Sequence, residues 1–249
     1  MMSMKGKLHV VGFGPGGKEH MTFKAAEAIQ NADVVTGYTT YVNLMKPIFP
    51  DKEYKATGMM KEVERCRMAI EDAMTGKDVA MISSGDSGIY GMAGIIYELA
   101  DEMKADIDID VVPGITAAST AASILGAPLM HDLAIISLSD LMTPLDLIMK
   151  RVDCAGQGDM IVCLYNPKSK TRTEYLDEAK DILLKYRRPE TPVGIVRNAG
   201  RDDEKSVVTT LSELDADIVD MFSIVIIGNS QTYVSNGRMI TPRGYRIGE

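Results

Sequence analysis

Tryptophan is absent from this 249-residue chain, and phenylalanine occurs only 4 times. A surface that stacks single-stranded bases on aromatic rings is therefore not expected. Cysteine and histidine are also scarce, at 3 each. Cys66, Cys154 and Cys163 form no CxxC pair and sit in helix-like or strand-like runs, so they are expected to be buried free thiols. His9, His20 and His131 lie far apart in sequence and lend no support to a His/Cys cage, so no protein-bound metal is expected. No apolar run approaches the ~20 residues needed to span a bilayer. The opening Met1-Met2-Ser3-Met4-Lys5-Gly6-Lys7 has no signal-peptide core. These absences lead to the expectation of a cytoplasmic protein with no membrane contact. The net charge of −8 lacks the basic excess of a nucleic-acid surface, so no nucleic-acid partner is expected. A locally basic site for an anionic substrate remains compatible with an acidic total.

What is present fits a globular enzyme. Hydrophobic residues make up 45% and charged residues 25%, and the length suits one large or two modest domains. Strand-like runs at Leu8–Phe13, Asp33–Gly37, Val79–Ser83 and Ile109–Val112 alternate with helical patterns. The helices begin at the cap Thr22 and run over Val63–Thr75, Met92–Met103 and Thr116–Leu125. Short apolar strands separated by helices imply a parallel sheet covered on both faces. Gly126-Ala127-Pro128 breaks the pattern and reads as a linker. Beyond it come strands Ala134–Leu138 and Met160–Leu164, with a helix opened by Thr143-Pro144 between them. A helix from Thr173 to Tyr186 precedes strands at Pro192–Val196, Ser206–Thr209 and Ser223–Ile227. The predicted architecture is α/β in two domains. Residues 1–127 form one on a mainly parallel sheet, residues 128–249 the other on a mixed sheet, and the active site lies in the cleft between them.

Two glycine-rich loops stand out. Met81-Ile82-Ser83-Ser84-Gly85-Asp86-Ser87-Gly88-Ile89-Tyr90-Gly91 and Val112-Pro113-Gly114-Ile115-Thr116-Ala117 each follow an apolar strand and open a helix. Without Cβ atoms, such turns let backbone press against a ligand, and open α/β sheets bind ligands at the carboxyl ends of their strands. A third loop, Gly12-Phe13-Gly14-Pro15-Gly16-Gly17, satisfies GxGxxG. It does not suit a dinucleotide. The second strand ends Val34-Val35-Thr36-Gly37 with no carboxylate for a ribose. Pro15 removes an amide that a pyrophosphate would use, and the next helix opens only at Thr22. A ligand without phosphate fits better, and S-adenosylmethionine is one.

Gly12-x-Gly14-Pro15-Gly16, Ser84-Gly85-Asp86, Pro113-Gly114-Ile115-Thr116-Ala117 and Val196-Arg197-Asn198-Ala199 resemble the tetrapyrrole (class III) S-adenosylmethionine methyltransferases over nearly the whole chain. Narrower stretches resemble the branch that acts on C17 of corrin precursors. These are Val35–Tyr41, Ser83–Gly91, Gly126–Asp132, Ile136–Pro144 and Tyr165-Asn166-Pro167-Lys168-Ser169-Lys170. Met130 stands where that branch is expected to carry glycine.

The resemblance implies a homodimer that methylates C17 of a tetrapyrrole, cobalt-factor III or the metal-free precorrin-3B, with ring contraction, in cobalamin synthesis. Any cobalt would belong to the substrate. By motif, the cofactor would meet Pro15, Ser84, Gly85, Asp86, Ile89, Thr116 and Ala117, with Leu164, Tyr165 and Ala199 on the adenine side. Asp86 and His131 are the candidates for proton transfer, with Asp132 and Tyr41 beside them. Tyr41, Lys168, Lys170, Arg172 and Arg197 would meet a substrate rich in carboxylates, because arginine forks suit carboxylate oxygens. Arg201, Arg243 and Arg246 are further cations on the same segments. The alternatives are a related methyltransferase acting on a different corrin carbon and a non-catalytic cofactor-binding module.

Overall fold

A computed structural model describes residues 5–245, so the tail cation Arg246 lies outside the described residues. The chain separates into two compact units, Met1–Ala117 and Ala118–Glu249.

The first unit strings together β1 (Lys7–Gly12), α1 (Phe23–Asn31), β2 (Val34–Tyr38), α2 (Thr39–Met45), β3 (Glu53–Thr57), α3 (Glu62–Met74), β4 (Asp78–Ser83), α4 (Ala93–Met103) and β5 (Asp108–Val112). The 5 strands form one sheet in the order β3-β2-β4-β1-β5, every pair parallel. Alternation along the strands sends residues to two cores. Val11, Phe13, Val35, Ala80 and Ile82 pack under α1 and α2. Leu8, Val10, Val79 and Met81 pack under α3 and α4. Both faces of the sheet are thus covered, as the continuous apolar strand runs require. Thr22 caps α1, its hydroxyl accepting the Ala25 amide at 3.1 Å, a contact that stabilises a helix by about 1 kcal/mol.

The second unit takes up α5 (Ala117–Leu125) after its first residue, then β6 (Gly126–Ala127), β7 (Leu133–Ser137), α6 (Leu145–Gln157), β8 (Ile161–Tyr165), α7 (Tyr175–Leu183), β9 (Pro192–Arg197), β10 (Lys205–Thr210), β11 (Ser223–Ile227), β12 (Tyr233–Ser235) and β13 (Arg238–Ile240). Its main sheet runs β10-β9-β11-β8-β7 and is mixed: β7 and β8 are parallel, the other neighbours antiparallel. One face packs on α6 and α7 through Ile136, Ile148, Leu164, Leu176 and Ile195. On the other face, a Cβ at Gly194 would strike Leu125 of α5 and lie 2.7 Å from the Met239 sulfur of β13, so glycine lets these elements close onto the sheet.

Three sequence expectations change. Gly126-Ala127 is not a linker but strand β6, which pairs in parallel with Met239-Ile240. Pro144, not Thr143, occupies the cap position of α6 and makes no side-chain cap bond. Cys154 is exposed on α6, while Cys66 and Cys163 are buried. Burial pushes the Cys66 thiol up to about 11 and that of Cys163 to about 12, so both stay protonated and inert at neutral pH. Among the described residues no helix is long and apolar enough to cross a membrane.

Candidate active site

Strands β4 and β1 are neighbours, yet the chain leaves them in opposite directions: from β1 through α1 toward β2, from β4 through α4 toward β5. Their carboxyl ends therefore flank the point where an open parallel sheet leaves a crevice for a ligand. The loops at that point are the glycine-rich ones, and they are bonded to one another. Gly14 and Gly85 exchange amide–carbonyl bonds of 3.0 and 2.8 Å, and the Phe13 amide donates to the Ser83 carbonyl at 3.0 Å. Gly14 (φ +83°) and Gly85 (φ +70°) hold left-handed backbone that a side chain would strain.

Asp86 ties the second loop to the third. One carboxylate oxygen accepts the amides of Gly88 (2.8 Å) and Ile89 (3.0 Å), and the other accepts the Gly114 amide at 2.9 Å. The Ser87 hydroxyl adds a bond to the Val112 carbonyl at 3.1 Å. Gly114 is glycine for space, since a Cβ there would overlap the carbonyl oxygens of Gly85 and Gly12. Gly85 is different. A Cβ built on it meets only the Ala117 amide nitrogen, at 3.9 Å, so its backbone presents an open face. That face, framed by Ser84, Thr116 and Ala117, suits a ligand recognised by backbone contact and lacking phosphate.

The structure thus brings together Pro15, Ser84, Gly85, Asp86, Thr116 and Ala117 on neighbouring loops of one sheet edge. Ile89 is 38% exposed on the same loop as Asp86. Tyr41 closes an aromatic run that sequence reasoning only partly saw. Its ring meets Phe13 edge-on at 5.7 Å and Tyr38 at 5.3 Å, so the first glycine loop leans on the residues following β2. The signal for Phe13 was present in its place between two glycines.

In the second unit the hydroxyl of Tyr165, at the end of β8, accepts the amide of Ala118 at 2.8 Å and so occupies the first turn of α5. Leu164 is fully buried among the α6 and α7 contacts, and Ala199 is buried in the turn after β9. His131 is exposed between β6 and β7. The cations there are largely committed. Lys168 donates to the Ala216 carbonyl at 2.7 Å and to Asp217 at 3.1 Å. Arg172 bonds Ser139 and lies 3.6 Å from Asp140, but its Nε is buried with no partner among the described residues. Arg197 reaches Asp220 at 2.8 Å and Asp203 at 3.1 Å. Burial alone would raise the Asp220 carboxyl; bonds from Arg197, the Phe222 amide and Ser223 outweigh it and hold the group below the ordinary 3.8. Lys170 is exposed and makes no hydrogen bond or ion pair among the described residues.

Residues 7–215 match the model of the "Tetrapyrrole (Corrin/Porphyrin) Methylases". A Salmonella typhimurium protein named "Probable cobalt-factor III C(17)-methyltransferase" is 51% identical over 240 residues, covering 96% of this chain and 100% of that protein. The "Cobalt-factor III methyltransferase" of Priestia megaterium is 49% identical, covering 98% of this chain but 46% of that longer protein. Among solved structures, that of the methyltransferase CobJ superposes with a TM-score of 0.90 at 31% identity, covering 95% of this chain and 100% of CobJ.

Proposed function

The chain belongs to the tetrapyrrole (corrin/porphyrin) methylase family, and from that premise we propose that it methylates C17 of cobalt-factor III with ring contraction, using S-adenosylmethionine, in cobalamin biosynthesis. The observation that carries this step is the end-to-end match, at 51% identity, to the Salmonella protein whose name states it. Both bacterial relatives carry cobalt in their names, which favours the cobalt-bearing substrate over precorrin-3B. The cytoplasm and a homodimer complete the reading.

S-adenosylmethionine, when bound, supplies a methyl group on a sulfonium that is already a good leaving group. The protein's task is then to hold two reactants in line, and well-oriented pairs can gain about 7–11 kcal/mol from that alone. Gly85 offers its open backbone face to the cofactor, with Pro15, Ser84, Ile89, Thr116 and Ala117 around it. Asp86 serves by holding two loops in register. With both its oxygens already accepting amides, it is poorly placed to take a proton from a substrate. That leaves His131, and with it Asp132 and Tyr41, to test for proton transfer in ring contraction. Lys170, exposed and without a hydrogen bond or ion pair among the described residues, is a cation free to meet substrate carboxylates, whereas Arg172 is already held by Ser139 and Asp140.

Anaerobic incubation with S-adenosylmethionine and cobalt-factor III tests the step. A product heavier by one methyl group, with a changed visible spectrum, is expected. No mass gain with cobalt-factor III would contradict the proposed step, and a gain with precorrin-3B alone would move the reaction to the metal-free substrate.

A further inference from the structure

Arg65 is an unexpected residue at this sheet edge. It lies in the first turns of α3 and is only 4% exposed, although a buried guanidinium is costly unless well paired. Its one carboxylate neighbour among the described residues, Glu62, is 3.6 Å away, beyond a good hydrogen bond, and 41% exposed. Its other contacts all lead to the carboxyl ends of strands. Nη1 donates to the Thr57 hydroxyl at 2.7 Å and to the Gly58 carbonyl at 3.3 Å, both at the end of β3. Nη2 lies 4.0 Å from the Met92 sulfur, in the loop that leaves β4. The guanidinium carbon stands 6.0 Å from the ring centre of Tyr38, the last residue of β2. From Tyr38 the aromatic contacts continue to Tyr41 at 5.3 Å and on to Phe13, inside the first glycine loop, at 5.7 Å.

A cation is thus joined through three rings to the loops that suit the methyl donor. This half of the edge, beside β2 and β3, differs from the glycine half in presenting soft apolar surface. Tyr38 and Tyr41 are partly exposed, while Met59 and Met60, on the loop that Arg65 holds through Gly58, are 56% and 79% exposed. A flat, largely apolar ring is the ligand such a surface accommodates.

We propose that Arg65 is a positioning residue for the tetrapyrrole: its buried guanidinium fixes the Tyr38–Tyr41 corner, which with Met59 and Met60 forms the wall against which the macrocycle rests. This inference rests on the tetrapyrrole reading above. Arg65 acts on this wall through Tyr38 and through the Thr57–Gly58 turn, so removing it should cost at least as much as removing Tyr38, and Tyr38→Leu should add little once Arg65 is gone.

The test compares the wild-type protein with Arg65→Met, Arg65→Lys, Tyr38→Leu, the Arg65→Met/Tyr38→Leu pair and Thr57→Val. For each, KM for cobalt-factor III is measured beside the calorimetric Kd for S-adenosylmethionine. Arg65→Met and Tyr38→Leu should each raise KM about tenfold, the pair no further, with cofactor Kd inside about twofold and Arg65→Lys recovering part of the loss. Effects that multiply in the pair, or a cofactor Kd that rises in step with KM, would overturn the proposal. Should Arg65→Met fail to fold, Thr57→Val, which removes one hydrogen bond, should raise KM about threefold with the same split. An unchanged KM there overturns the proposal equally. A wild-type protein that does not turn over cobalt-factor III counts against the proposed function alone. The Arg65 series is then read by visible-absorbance titration of tetrapyrrole binding, where equal affinity across the variants contradicts the positioning role.

Discussion

The glycine loops of the first unit and the cationic loops of the second were both marked by sequence as ligand-facing, and they are built on opposite plans. The first region is made of backbone. Gly14 and Gly85 exchange amide–carbonyl bonds, Gly114 packs against the carbonyls of Gly85 and Gly12, and the Asp86 carboxylate and Ser87 hydroxyl tie the second loop to the third. The second region is made of side chains, and most are already occupied. Lys168, Arg172 and Arg197 bond groups 48, 33 and 23 residues away in sequence. A glycine pattern reports its own geometry, because the absence of a Cβ is local. A run of cations reports only charge, and whether that charge is spent depends on residues that folding brings in from elsewhere.

The comparison can be broken most severely at Gly114. Gly114→Val should abolish measurable S-adenosylmethionine binding and lower the melting temperature, because the new side chain overlaps two carbonyl oxygens. Retained binding would mean that the loops do not pack as described. At the other extreme of design, Arg197→Met should leave cofactor affinity within about twofold and change KM for the tetrapyrrole little, since a partly exposed ion pair contributes modestly. A tenfold rise in KM would return Arg197 to the substrate. Lys170→Ala, by contrast, should raise KM about threefold, because its ammonium is not committed elsewhere. The smallest effect concerns pH. The Asp220 carboxyl titrates below 3.8 in the folded protein and nearer that value when unfolded, so its bonds stabilise the second unit above that range. That contribution is lost as pH falls through the depressed value. Thermal melts of wild type and Asp220→Asn should therefore differ near neutral pH and converge in strong acid.

The elements legible in the sequence were those with a clear apolar period or a marked boundary: β1, β2, β4 and β5 with α1, α3, α4 and α5, and β7, β8, β9, β10 and β11 with α6 and α7. Thr39–Met45 escaped because its threonines, tyrosine and valine favour extended chain, and only packing of Val42 and Met45 makes it a helix. Glu53–Thr57 escaped because it is a polar edge strand. The β12–β13 hairpin has a local signal in the Asn236-Gly237 pair, whose φ of 50° and 73° suit a two-residue turn, but its strands are too short to show a period. At the site, the glycines and Asp86 were legible and their roles less so. Asp86 read both as a cofactor-loop residue and as a candidate for proton transfer, and its tie between loops 28 residues apart carried no sequence signal. Arg65 had no signal at all, since an arginine in an amphipathic helix ordinarily faces water, and only the three-dimensional path through Tyr38 and Tyr41 gives it a role.

The central claim is that the backbone-built edge, not the cationic loops, holds the methyl donor. Calorimetric titration of S-adenosylmethionine into wild type, Asp86→Ala and Arg197→Met tests it in one series. Loss of three amide bonds to a carboxylate should weaken binding at least about tenfold in Asp86→Ala, leaving Arg197→Met near wild type. Equal affinity in wild type and Asp86→Ala, or a greater loss in Arg197→Met, would contradict the account.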